Sequence, residues 1–271
     1  MERKSQADRL SKTFIKLAIL GLLAMGLLSS GRADAQAIWR SSSGNGSGGN
    51  SAVSVSVAKP AGLMAGDLLI MSVGMEGDTA VNTPSGWVQI TGQQQSSNLS
   101  LYLFRKIATS ADVTASNFSV SFASGGKHSV GISRITGHNP TAPIAAFAGA
   151  LGANASNLVI APSVTTTAAN QLVLGFHAVK KSATFTASYG TERYDVSADP
   201  PSHAMFSYVK ATAGSTGSKT ATSSEPETYA AAQIAIASAP TATTTPEPTP
   251  AAARVIAVPA DPEFSEISIS T

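Results

Sequence analysis

Cysteine is absent from the 271-residue chain. That excludes disulfides, thiol nucleophiles and thiolate metal sites, and leaves stability to one large apolar core. Charge is scarce too, at 13% of residues. Six of the 18 Lys and Arg and three of the 16 Asp and Glu precede Ala37, so the rest carries 12 against 13, net −1. A nucleic-acid surface needs clustered cations to displace counterions from phosphates. After the leader only Arg105-Lys106 and Lys180-Lys181 adjoin, each at the end of an apolar run. They read as solvated strand ends, and no nucleic-acid partner is expected. Also missing are a G-x-S-x-G nucleophile elbow, paired histidines at metal-ligand spacing and any long helical stripe in the core. His128, His138, His177 and His203 stand singly. No cofactor or metal is expected.

What is present begins with a leader. Arg3, Lys4, Arg9, Lys12 and Lys16 form a basic front, and Leu17 to Leu28 is an apolar and glycine run. Ala33-Asp34-Ala35 and Ala35-Gln36-Ala37 follow as two overlapping small-x-small sites. That order reads as a cleavable secretory signal peptide over residues 1–37, cut after Ala35 or Ala37. The apolar run falls well short of the roughly 20 residues that span a bilayer. The expected location is therefore the periplasm, the cell surface or outside the cell, with no membrane span after cleavage.

Residues 38–239 read as strands. Val53, Val55 and Val57 alternate with serine, as do Phe118, Val120 and Phe122; Leu99, Leu101 and Leu103 alternate with Ser100, Tyr102 and Phe104. A period of two sends alternate side chains to opposite sheet faces. Leu68 to Val73, Leu172 to Val179 and Tyr229 to Ala237 are apolar throughout, as strands covered on both faces would be. Gly, Pro, Asn and Asp punctuate the runs, as at Pro60-Ala61-Gly62, Gly66-Asp67 and Pro84-Ser85-Gly86. The expectation is an all-β, two-sheet antiparallel β-sandwich of about 9 to 13 strands. A helical turn is expected at most near Ala61 to Met64 or Ser110 to Val113. Ser41 to Ser51 reads as a flexible loop, and residues 240–271 as a Pro/Thr/Ala-rich acidic tail. Gly44-x-Gly46-x-x-Gly49 spells a dinucleotide fingerprint, but a serine-rich run feeding a strand lacks the helix N-terminus that the motif requires.

An ordered series of motifs then stands out. It runs Pro60-Ala61-Gly62, Gly66-Asp67-Leu68-Leu69, Pro84-Ser85-Gly86-Trp87 and Leu101-Tyr102-Leu103-Phe104-Arg105-Lys106. Ile135-Thr136-Gly137, Glu192-Arg193-Tyr194 and Gly214-Ser215-Thr216-Gly217-Ser218 follow. From about Ala52 to Ala239 this series resembles a jelly-roll-type β-sandwich module that recurs in bacterial exported proteins and in phage structural proteins. The resemblance implies a binding or structural role and brings no catalytic residues.

Site candidates follow from residue chemistry. The carboxylate pairs Glu76 with Asp78, Glu192 with Asp195 and Glu225 with Glu227 are the only groups offering glycosidase chemistry, and each is expected to be solvated at a loop. Glu76-Gly77-Asp78 is also the best Ca²⁺ candidate. Trp87, Tyr102 and Tyr194 are the candidate ligand-binding residues, as rings on which a sugar face could stack, with Trp39, Tyr189 and Tyr208 sharing the same ambiguity. Arg193 with Asp195 reads as a loop clamp. The function expected is an exported, non-catalytic binding or surface-structural module for a glycan or a cell-surface protein. The alternatives are a phage or prophage virion component, with the leader retained as an embedded segment, and a carbohydrate-acting enzyme.

Overall fold

A computed structural model of the chain describes residues 36–47, 52–95, 98–197 and 199–240. The leader before Gln36, the tail beyond Pro240, and with them most of the flanking expectations lie outside the described residues. Among the described residues the secondary structure is antiparallel β apart from one short helix, α1 (Ser110–Thr114). No helix among the described residues is long and apolar enough to cross a membrane.

The central sheet has five strands in the order β1 (Ile38–Ser47), β8 (His128–Thr136), β3 (Leu68–Glu76), β6 (Leu99–Ile107), β5 (Val88–Gln95). A sheet of β2 (Ser54–Ala58), β7 (Asn117–Phe122) and β4 (Val81–Asn82) covers one of its faces. The other face meets a six-stranded sheet. There β16 (Lys219–Ile236) pairs with β9 (Ile144–Ala161), β11 (Gln171–Val179) and the short β12 (Phe185–Thr186); β14 (Ser202–Lys210) and the edge strand β13 (Thr191–Val196) follow beyond β11. A fourth, two-stranded sheet joins β10 (Thr165–Thr166) to β15 (Gly214–Ser215).

The central sheet explains the doubly apolar runs. Along β3, Leu69, Met71, Val73 and Met75 pack under the three-stranded sheet, while Leu68 and Ile70 face the six-stranded one. A strand with hydrocarbon on both faces needs two covering layers, each burial of a Leu, Met or Val contributing about 1.5–3 kcal/mol. The antiparallel all-β architecture therefore matches the sandwich expectation, while the described residues form sixteen strands in four sheets, more than the 9 to 13 strands and two sheets expected. The three-stranded layer is built from the short alternating strands that sequence reading had assigned to one of two sheets.

The Ser41–Ser47 run is a second correction. It is not a loop but most of β1, paired residue for residue with β8 from Ser41↔Arg134 to Ser47↔His128. The hydroxyls of Ser41 and Ser43 and the Asn45 amide donate to the backbone carbonyls of Ala61, Ala58 and Ser56, tying this strand to β2. Gly44 faces the other way, where a Cβ would come within 2.8 Å of Val196 Cγ2. The period of two is there, written in hydrogen-bonding side chains instead of apolar ones. Gly44 and Gly46 lie mid-strand, so no helix N-terminus follows them.

The one helix stands where a turn was expected. Thr109 caps it: its N–H and hydroxyl donate to Asp112 Oδ2, each at 2.7 Å, and its Oγ1 accepts from the Asp112 N–H. Asp112 also takes a bond from Lys106 Nζ at 2.6 Å. Reciprocal capping of this kind lets five residues hold helical form.

Candidate functional site: a cleft beside Trp39 and Arg193

Of the three rings favoured on sequence, Trp87 and Tyr102 are inside the protein and Tyr194 is half-buried. Trp87 is 6% exposed and meets Phe118 edge-on at 5.6 Å; Tyr102 is 4% exposed and stacks on Phe104. Tyr194 lies between sheets, its hydroxyl bonded to Ser72 and its ring against His203. Neither Trp87 nor Tyr102 presents a face on which a sugar could stack, so the aromatic-platform reading of these two is corrected.

Tyr194 belongs to a buried polar chain that links two sheets. Ser72 Oγ is 2.8 Å from His203 Nε2, and His203 Nδ1 is 2.7 Å from Ser129 Oγ. Room for the Tyr194 ring comes from Gly131, where a Cβ would stand 2.3 Å from it. A serine bonded to a histidine is the geometry of an activated nucleophile. Here Ser72, Ser129 and His203 are fully buried, and burial holds the imidazole at a pKa of about 3. A general base works best with a pKa near the operating pH and must reach substrate; this one does neither, and the chain acts as a polar rivet. His177 is a parallel case. Its Nδ1 meets the Val159 carbonyl and its Nε2 the Tyr189 hydroxyl, and burial again brings it to about 3. His128 packs on Phe122, and His138 is drawn down by burial against an opposing pull from Asp67. The four histidines do not converge, and among the described residues no three His, Asp or Glu gather.

Two of the paired carboxylates have partners of their own. Glu76 is bracketed by Lys127 and Lys180, each 3.5 Å away, so its charge is already matched. Asp195 does not clamp Arg193. Its Oδ2 accepts the Phe185 N–H at 2.9 Å, and burial raises its pKa.

What the fold does assemble is a cleft of about 410 Å³ at one edge of the six-stranded sheet. Its walls are Ile38, Trp39, Leu172, Arg193, Tyr208 and Val209, with Gln36, Thr191 and Ser207 supplying polar atoms. Two register shifts frame it. In β1 the pairing with β8 jumps between Trp39 and Ser41; in β13 the pairing with β14 jumps between Glu192 and Tyr194. The extra residues are Arg40 and Arg193, and a bulge of this kind re-aims a side chain at a sheet edge. Freed from the alternation, Arg193 lays its guanidinium over the Trp39 ring, 4.1 Å from the centroid. Its Nε donates to Ser207 Oγ at 2.7 Å. Partial burial lowers its pKa from the ordinary guanidinium value, yet an arginine so placed stays charged. It makes no ion pair among the described residues, and it is the one charged residue on the cleft wall.

Of the aromatic residues weighed on sequence, Trp39 and Tyr208 line this cleft. Arg193 was missed as a site residue because the sequence reads it as a clamp partner of Asp195, whereas Asp195 accepts from the Phe185 N–H instead. The mixed Thr191–Val196 pattern, with charged and aromatic residues adjacent, was the available signal of an irregular strand.

The fold and this cleft define an antiparallel all-β protein with a basic–aromatic cavity at a sheet edge. No known family model matches the chain, and neither does any curated protein or solved structure.

Proposed function

We propose that the chain is an exported, non-catalytic binding module of jelly-roll type, displaying a small-ligand cleft at a sheet edge for a glycan or a cell-surface partner. The observation that carries this reading is the cleft itself. A guanidinium without an ion-pair partner among the described residues sits over an indole, ringed by apolar and hydroxyl groups, in a volume suited to small-ligand recognition. The export part rests on the leader. Ala37 adds to it: at 1% exposure it is part of the core and donates its N–H to Ser238 Oγ. Cleavage after Ala37 would remove a packed residue, so cleavage after Ala35 is the reading that keeps the fold whole.

A hydrolase fits the geometry less well, since the carboxylate best placed on sequence, Glu76, is held between two lysines. The test is fractionation of the native host with affinity capture from the exported fraction. The proposal expects processed protein outside the cytoplasm, carrying saccharide or a surface protein with it. Recovery in purified virus particles with Met1 retained would replace it with the virion reading.

A further inference from the structure

We propose that the cleft takes a carboxylate-bearing sugar, a uronic-acid residue of an acidic glycan, with the Arg193 guanidinium as its anchor. This rests on the reading of the cleft as the binding site and adds the ligand's chemistry.

The argument starts from the donors of Arg193. A guanidinium carries five N–H groups in a planar fork. Nε is committed to Ser207, and the guanidinium carbon rests 4.1 Å from the Trp39 ring centroid. The terminal nitrogens have no protein partner among the described residues. A fixed, planar and unpaired fork matches a carboxylate, which accepts two parallel bonds from it. No acidic residue lines the cleft to compete. Lys219 adds positive charge behind Tyr208, with Nζ 5.1 Å from the ring centroid.

The remaining walls describe the body of the ligand. Ile38 and Val209 are 43% and 48% exposed and offer apolar surface to one face of a ring. Thr191 and Gln36 add a hydroxyl and an amide to the lining, where sugar hydroxyls would meet them. A peptide is the less favoured carboxylate source. Extended peptides bind by adding to a free strand edge, and here β1 packs against the β13 edge, with Ser42 Oγ donating to the Arg193 carbonyl at 2.8 Å.

The test is calorimetric titration of the processed protein with trigalacturonate and with its neutral methyl ester, while the Trp39 indole N–H resonance is followed. A second arm uses an acetylated tripeptide and its C-terminal amide. The expected result is that trigalacturonate binds and shifts the Trp39 signal, with the ester weaker by about tenfold or more. Arg193→Gln should weaken the acid to the level of the ester, and Arg193→Lys should recover only part of the loss because it keeps charge without the fork. Thermal melts establish that both variants fold, and if Arg193→Gln does not, Arg193→Lys alone decides. Equal binding of acid and ester, with Trp39 shifting, would overturn the carboxylate while leaving the cleft as a site. No Trp39 shift with any probe would overturn both. Preference for the peptide acid over trigalacturonate would overturn the sugar.

Discussion

At the scale of single residues, the buried histidines make the fold sensitive to acid. His177 and His203 have folded pKa values of about 3 against an ordinary 6.5, the result of burial. Unfolding exposes both imidazoles, which then bind protons below pH 6.5. Their contribution is therefore complete above that pH and is lost as pH falls towards 3, by about 1.4 kcal/mol per unit for each histidine. Urea unfolding at a series of pH values should show stability falling steeply from about pH 6 to 4, and His203→Gln should make the slope shallower. A flat profile would mean that these imidazoles are not buried. Gly131 is the complementary test of packing. Its Cβ would stand 2.3 Å from Tyr194, so Gly131→Ala should cost about 1–3 kcal/mol by overpacking, read from the shift in urea midpoint.

At the scale of elements, β1 and α1 carry distinct expectations. Ser41 to Asn45 are strand residues paired with β8, so their ladder amides should exchange with solvent far more slowly than those of a serine-glycine loop. Hydrogen exchange read by NMR checks this, and exchange at the rate of a free peptide would contradict the pairing. In α1, burial raises the Asp112 pKa but bonds from Lys106 and Thr109 more than reverse it, leaving it lowered. That contribution is present above the ordinary carboxylate pKa and lost as pH falls through the lowered value. Asp112→Asn should cost about 1–2 kcal/mol at neutral pH, measured by thermal melt. These two elements also show what sequence carries. The doubly apolar β3 and β11, the alternating β7 and the Ser110 turn could all be read from hydrophobic period and capping letters. β1 could not, because its alternation is among serine, glycine and asparagine, which a hydrophobic pattern does not register. The cleft was legible only in part. Trp39 and Tyr208 could be named as open candidates, but the contact of Arg193 with Trp39 depends on two bulges in strands far apart in the sequence.

At the scale of the whole molecule, three stacked sheets bury the central one on both faces, and bonds from β1 to its neighbours close one side of the stack. A cysteine-free chain can hold a rigid edge cleft this way, since the residues around it are anchored to core strands and not to loops. Processing belongs to this scale. Intact-mass analysis of exported protein should place the mature N-terminus at Gln36, because a start at Ile38 would forfeit the buried Ala37 and its bond to Ser238. The central claim is that this molecule binds through the Trp39–Arg193 cleft. It is tested most directly by a glycan array probed in parallel with the processed protein and its folded Arg193→Gln variant. The account predicts retention on acidic saccharides by the first and its loss with the second; identical patterns for both, or no retained saccharide at all, would contradict it.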